Sequence, residues 1–215
     1  MRPTRLTGPC RLKMGSPRLF LALAGLLALT ACGREFSPTA PSASTAPTVP
    51  EILVAPVPYD RAQWPLWIDA DGDCQDTRAE VLIRESRRPV TFSDARKCIV
   101  ATGLWVDPYT GITMTDASDV DIDHLVPLQS AHDAGGWEWS RARKRDYAND
   151  LRDPQHLMAV AERVNESKGS KGPDEWLPPN AAFRCTYARA WSRIKATWDL
   201  RSSAPELRAL EAACS

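Results

Sequence analysis

Charge of one sign is what this sequence most plainly lacks. Its 27 Lys and Arg residues are matched by 27 Asp and Glu residues over 215 positions, so the formal net charge is zero. That excludes a diffusely basic nucleic-acid binder, and any phosphate-binding surface has to be local. Histidine is scarce, with three in the chain. No HExxH motif is present and the histidines lack that spacing, which argues against a zinc peptidase. No C-x-x-C pair is present either, so a zinc–thiolate centre is disfavoured. No apolar run reaches the ~20 residues that a membrane-spanning helix needs. The length suits one well-buried domain better than two.

The longest apolar run, LFLALAGLLAL, follows Arg2, Arg5, Arg11, Lys13 and Arg18 and ends in LTAC, Leu29 to Cys32. A basic flank, a short apolar core and small residues before a cut site describe an export signal over residues 1–32. LTAC resembles a bacterial lipobox, which implies lipidation of Cys32 and a membrane-anchored lipoprotein of the cell envelope. A plain signal peptide and a secreted product are the alternative, and Met14 is an alternative start. Residues 33–58 are rich in Pro, Ser, Thr and Ala and read as a disordered tether, leaving 59–215 as the folded domain. Export puts Cys74, Cys98, Cys185 and Cys214 in an oxidising compartment. Four cysteines admit three pairings. Cys74–Cys98 with Cys185–Cys214 is favoured, since each closes a local loop and leaves the central segment unstapled.

Helices are expected at DTRAEVLIRES, capped by Asp76 or Thr77, at SRARKRDYANDL, at PQHLMAVAERVNESKG up to Gly169, at FRCTYARAWSRIKATWDL and at APELRALEAAC. CIVATGLWVDPYTGITMT reads as two strands around the turn DPYTG. DVDIDHLVPL reads as a strand ending near His124, with Pro127 barring a regular continuation. The class is α+β, with a small sheet and several helices.

The stretch DIDHLVPL, Asp121 to Leu128, sets Asp123 and His124 in an apolar run, where burial costs several kcal/mol unless something compensates. In order along the chain stand DGDCQDTRAEVL, DPYTG, DIDHLVPLQSAH, YAND, NESKG, and WLPP followed by CTYA. This series resembles the HNH (ββα-metal) endonucleases, and more narrowly exported proteins related to the C-terminal nuclease domain of GmrSD-type restriction enzymes. The resemblance implies a disulfide-stapled α+β fold with a ββα-metal core. It also implies metal-dependent hydrolysis of nucleic acid, DNA ahead of RNA. His124 would be the general base, Asp123 and Asn165 would hold a divalent cation, magnesium or manganese, and Lys168 would contact substrate phosphate. His156 stands where the family commonly has Asn. A neutral ring there would accept the hydrogen bond that orients His124, so activity should fall at acidic pH partly through His156. No protein partner is implied.

Other residues carry two readings. The cluster Arg141, Arg143, Lys144 and Arg145 is either a solvated helix face or a grip on a nucleic-acid backbone. Arg78 could clamp phosphate or pair with Glu80. His132 is read as structural, and Asn149 as either a turn cap or a support of the site. Asp69, Asp71, Asp73 and Glu80 fall at calcium-loop positions, but Cys74 occupies the glycine position. The alternative function is therefore a calcium-stabilised cell-envelope binding module with a non-cutting HNH remnant.

Overall fold

Three helix starts follow directly from short polar side chains. In a computed structural model that describes residues 48–215, Asp76 accepts from the Ala79 amide to open α1 (Thr77–Glu85). Ser140 accepts from Arg143 to open α3 (Arg141–Ala148), and Ser203 with Glu206 forms a capping box on α6 (Ala204–Ala212). The remaining helices are α2 (Leu128–Asp133), α4 (Glu162–Lys168) and α5 (Arg184–Thr197). Pro127 sits just before α2, where its missing amide costs nothing.

Two antiparallel sheets complete the α+β fold. Strands β1 (Thr91–Phe92), β2 (Val100–Val106) and β3 (Thr113–Asp116) form one, ordered β1-β2-β3. Strands β4 (Val120–His124) and β5 (Leu157–Ala161) form a two-stranded ribbon in which Asp123 faces Met158 and His124 faces Leu157.

Residues 157–161 correct the sequence reading, which placed them in a helix. LMAVA is β5, and α4 begins only at Glu162. The ribbon has apolar neighbours on both faces. Val120, Ile122, Leu157 and Ala159 pack with Val81, Leu82 and Trp105, whereas Met158 and Val160 pack with Tyr109, Val164, Tyr187 and Trp191. A strand covered on both sides loses its alternation and reads as a featureless apolar run. Each of its large apolar side chains contributes about 1.5–3 kcal/mol by leaving water.

Helix α1 also closes the ribbon's edges. Glu85 accepts from the Ala159 amide at 2.8 Å, and Arg84 donates to the Leu157 carbonyl at 2.7 Å. Arg78 donates to the carbonyls of Ala117 and Val120 at 3.0 and 2.8 Å. Its guanidinium therefore holds the start of β4, rather than substrate or Glu80.

Both favoured disulfides are present, Cys74–Cys98 and Cys185–Cys214. The stretch from 48 to 58, assigned to the tether by composition, lies along the domain. The Ala204 amide donates to the Pro50 carbonyl at 3.0 Å, and His132 Nε2 meets the Val57 carbonyl at 2.7 Å. Among the described residues, no helix is long and apolar enough to cross a membrane. The export signal, Cys32 and the first part of the tether lie outside the described residues.

Candidate active site

His124 ends β4 with its ring between two aromatics, Trp67 at 6.0 Å and Tyr147 at 6.3 Å between centroids, both near parallel. Its Nε2 lies 2.9 Å from the Ala148 carbonyl. A carbonyl can only accept, so Nε2 carries the proton and Nδ1 keeps its lone pair. Burial first, then His156, with smaller contributions from Lys168 and Arg61, push the pKa of His124 from 6.5 down to about 3, partly opposed by the Ala148 carbonyl. The ring is thus neutral at physiological pH, the form in which Nδ1 can take a proton.

The orienting partner is not the expected one. His156 Nε2 lies 2.8 Å from the Tyr147 carbonyl, and its ring stands edge-on to His124 at 6.0 Å between centroids. Helix α3 ends at Ala148, so these carbonyls belong to its last turn, where they have no amide four residues on to bond within the helix. Two imidazoles occupy adjacent carbonyls of one helix end, and the backbone rather than His156 fixes the tautomer of His124.

Asp123 is on the other face of β4, toward α4. One carboxylate oxygen accepts from Lys168 Nζ at 2.8 Å and the other from the Tyr109 hydroxyl at 2.6 Å. Lys168 also donates to the His124 carbonyl at 2.9 Å and is 0% exposed. This corrects its expected role: a fully enclosed ammonium held by two acceptors does not reach a substrate phosphate. Burial pushes the Asp123 carboxyl up and the Lys168 ammonium down, and their mutual attraction opposes both shifts. Tyr109, from the DPYTG turn, was legible only as part of a turn, yet it holds the acid in place.

Asn165, in the middle of α4, donates from Nδ2 to Asp121 at 2.9 Å. A carboxylate accepts, so the amide's orientation is settled and Oδ1 is left without a protein partner among the described residues. Asp123, His124 and Asn165 line one cavity of about 330 Å³. The family resemblance named these three together, and they share this cavity. Arg61 and Trp67 also line it, and nothing in the motifs of the sequence singles out Arg61. Trp67 takes φ 52°, a conformation that bulky side chains avoid and that costs on the order of 1–3 kcal/mol.

The basic cluster of α3 lies elsewhere. Arg141 donates to the Ala62 carbonyl, Arg143 to Trp198 and Asp199, and Arg145 pairs with Asp146. Lys144 is buried over the Trp64 ring. None of the four lines the cavity with His124: Arg141 and Arg143 join α3 to neighbouring segments, Lys144 packs on Trp64, and Arg145 is an exposed cation paired within the helix. His132 is structural, as read, and Asn149 bridges four groups, so it both caps α3 and supports the site. Asp69, Asp71 and Asp73 bring ligand oxygens within 4.8 Å of one another, but Glu80 is outside that group and Cys74 takes φ 80°.

Residues 74–212 match the family described as GmrSD restriction endonucleases, C-terminal domain. An uncharacterized secreted protein of Arthroderma benhamiae is 40% identical over 178 residues, covering 80% of this chain and 85% of that relative. No solved structure matches.

Proposed function

We propose, for a chain that belongs to the GmrSD restriction endonuclease C-terminal domain family, that it is an exported, metal-dependent endonuclease hydrolysing phosphodiester bonds in nucleic acid. In this reading β4, β5 and α4 are its ββα-metal core. One observation carries it: the Ala148 carbonyl fixes His124 as the Nε2–H tautomer and leaves the Nδ1 lone pair free, on a residue that lines one cavity with Asp123 and Asn165. The family and the secreted relative support the nuclease class and export, as does the signal-like sequence ending at Cys32. Lipid anchoring at Cys32 rests on the LTAC segment alone.

The donor set suits a hard divalent cation such as magnesium or manganese. Each Asp123 oxygen accepts one hydrogen bond and retains a second lone pair, and Asn165 Oδ1 has no partner among the described residues. Asp123 and Asn165 would hold the ion, which when bound supplies Lewis-acid stabilisation of charge on phosphate oxygens. The protein's own residues do the rest. His124 Nδ1 takes the proton from an attacking water, while Trp67 and Tyr147 keep the ring in plane. Tyr109 and Lys168 fix the Asp123 carboxylate, and Asp121 fixes the Asn165 amide.

Incubating plasmid with magnesium or manganese, with and without chelator, tests the proposal. Wild type nicks only with metal, and His124→Ala is slower by a hundredfold or more, the usual range for loss of a general base. Equal nicking by both proteins would refute it.

A further inference from the structure

A phosphodiester carries a negative charge, and the site described so far gives it no cation from the protein. Lys168 is enclosed, Arg78 is bound to backbone carbonyls, and the α3 cluster is outside the cavity. Among the described residues, Arg61 is the one Lys or Arg on the wall that carries Asp123, His124 and Asn165. It is exposed and forms no salt bridge with any described residue.

Its backbone is firmly held. Arg61 begins a single 3-10 turn, Arg61–Gln63, capped by Asp60. On either side, His132 meets the Val57 carbonyl at 2.7 Å, Arg141 holds the Ala62 carbonyl at 2.8 Å, and Asn149 holds the Pro65 carbonyl at 2.8 Å. Trp64 is buried against Tyr147 and Trp139. Side chains from α2, α3 and the residue capping α3 thus pin a segment that precedes the family-matched residues 74–212, and the pinned turn carries the Arg61 guanidinium to the cavity wall beside the Tyr59 hydroxyl.

We infer that Arg61 is a substrate-binding residue whose guanidinium takes the non-bridging oxygens of the phosphodiester presented to His124. The planar fork matches two phosphate oxygens, and an arginine without an internal carboxylate partner gives up no ion pair when substrate arrives. The substrate class is a nucleic-acid backbone, and the inference rests on the nuclease reading above.

The test uses the full chain and a short labelled DNA duplex, with binding measured in chelator over a range of salt. Arg61→Ala weakens binding roughly tenfold or more, as for a lost charge-assisted contact. It also flattens the slope of log K against log salt by about 0.9, the value for one phosphate contact. Arg61→Lys restores the slope but not the full affinity. With metal present, Arg61→Ala raises KM, while its melting midpoint stays at that of wild type. An unchanged salt slope in a protein that cleaves would overturn the assignment, and so would a lowered melting midpoint that accounts for the loss. Wild type that never cleaves with any divalent metal fails the nuclease reading instead, a result distinct from both.

Discussion

Asp123 and Lys168 are the charged pair on which the site's shape turns. Removing Lys168 leaves a carboxylate 5% exposed with only Tyr109 to satisfy it. Lys168→Met should therefore cost about 3–5 kcal/mol in a denaturant melt, the range for breaking a buried ion pair. The double variant Lys168→Met with Asp123→Asn recovers part of that loss, because no buried charge is then stranded; a double variant no better than Lys168→Met would show that the lysine acts by packing alone. His124 gives a pH prediction of definite sign. Its folded pKa, about 3, is below the ordinary 6.5, with burial the main cause. Above pH ~6.5 the ring is neutral folded or unfolded and contributes nothing to pH dependence. Between there and about pH 3 the unfolded chain binds a proton that the native ring refuses, so stability falls as pH falls. His156 is shifted the same way. Melting midpoints should drop from pH 7 to pH 4.5, and His124→Gln, which keeps a donor for the Ala148 carbonyl, should flatten the drop. An unaltered slope in that variant would mean that the ring is not held neutral.

Helix α3 and the ribbon beside it act as units, and α3 contributes its end more than its basic face. The Tyr147 and Ala148 carbonyls orient His156 and His124. Asn149, the next residue, accepts from Ile68 and Thr77 and donates to Pro65 and Arg145. Asn149→Ala should cost about 1–3 kcal/mol from the groups left unpaired. It should also lower kcat/KM at temperatures where the variant is fully folded, since the segment bearing Arg61 and Trp67 loosens; full activity in the folded variant would separate Asn149 from the site. What was legible beforehand follows from the physics of each element. The start of α1 was readable because Asp76 caps it, and the end of β4 at His124 because Pro127, three residues on, bars a regular continuation. That Asp123, His124 and Asn165 would share a cavity was implied by the family resemblance of the ordered motifs. Strand β5 was not readable, because burial on both faces erases its period. Lys168 was misjudged because its burial depends on α4 leaning against β4. The two readings of the α3 cations could not be separated in the sequence, because composition does not reveal which carbonyls Arg141 and Arg143 meet.

At the scale of the whole molecule, the two disulfides bracket the site without entering it. Cys74–Cys98 ties the loop before α1 to the approach to β2, and Cys185–Cys214 ties the start of α5 to the end of the chain. With sequence separations of 24 and 29 residues, each contributes about 3.5 kcal/mol on the chain-entropy account, through the unfolded state. Neither sulfur lines the cavity with His124. That cavity is held instead by the five-pair register of β4 with β5, the Asp123–Lys168 pair and the carbonyls of α3. Stability and site geometry should therefore separate. Replacing either cysteine pair by serine should lower the unfolding free energy by about 3 kcal/mol, read in a urea melt. At a temperature well below the variant's midpoint, it should leave metal-dependent cleavage within about twofold of wild type, since ordinary relaxation far from a site costs a few tenths of a kcal/mol. Loss of cleavage in a variant still folded by circular dichroism would show that a staple sets the site's geometry, and the division between an unstapled centre and stapled ends would be wrong.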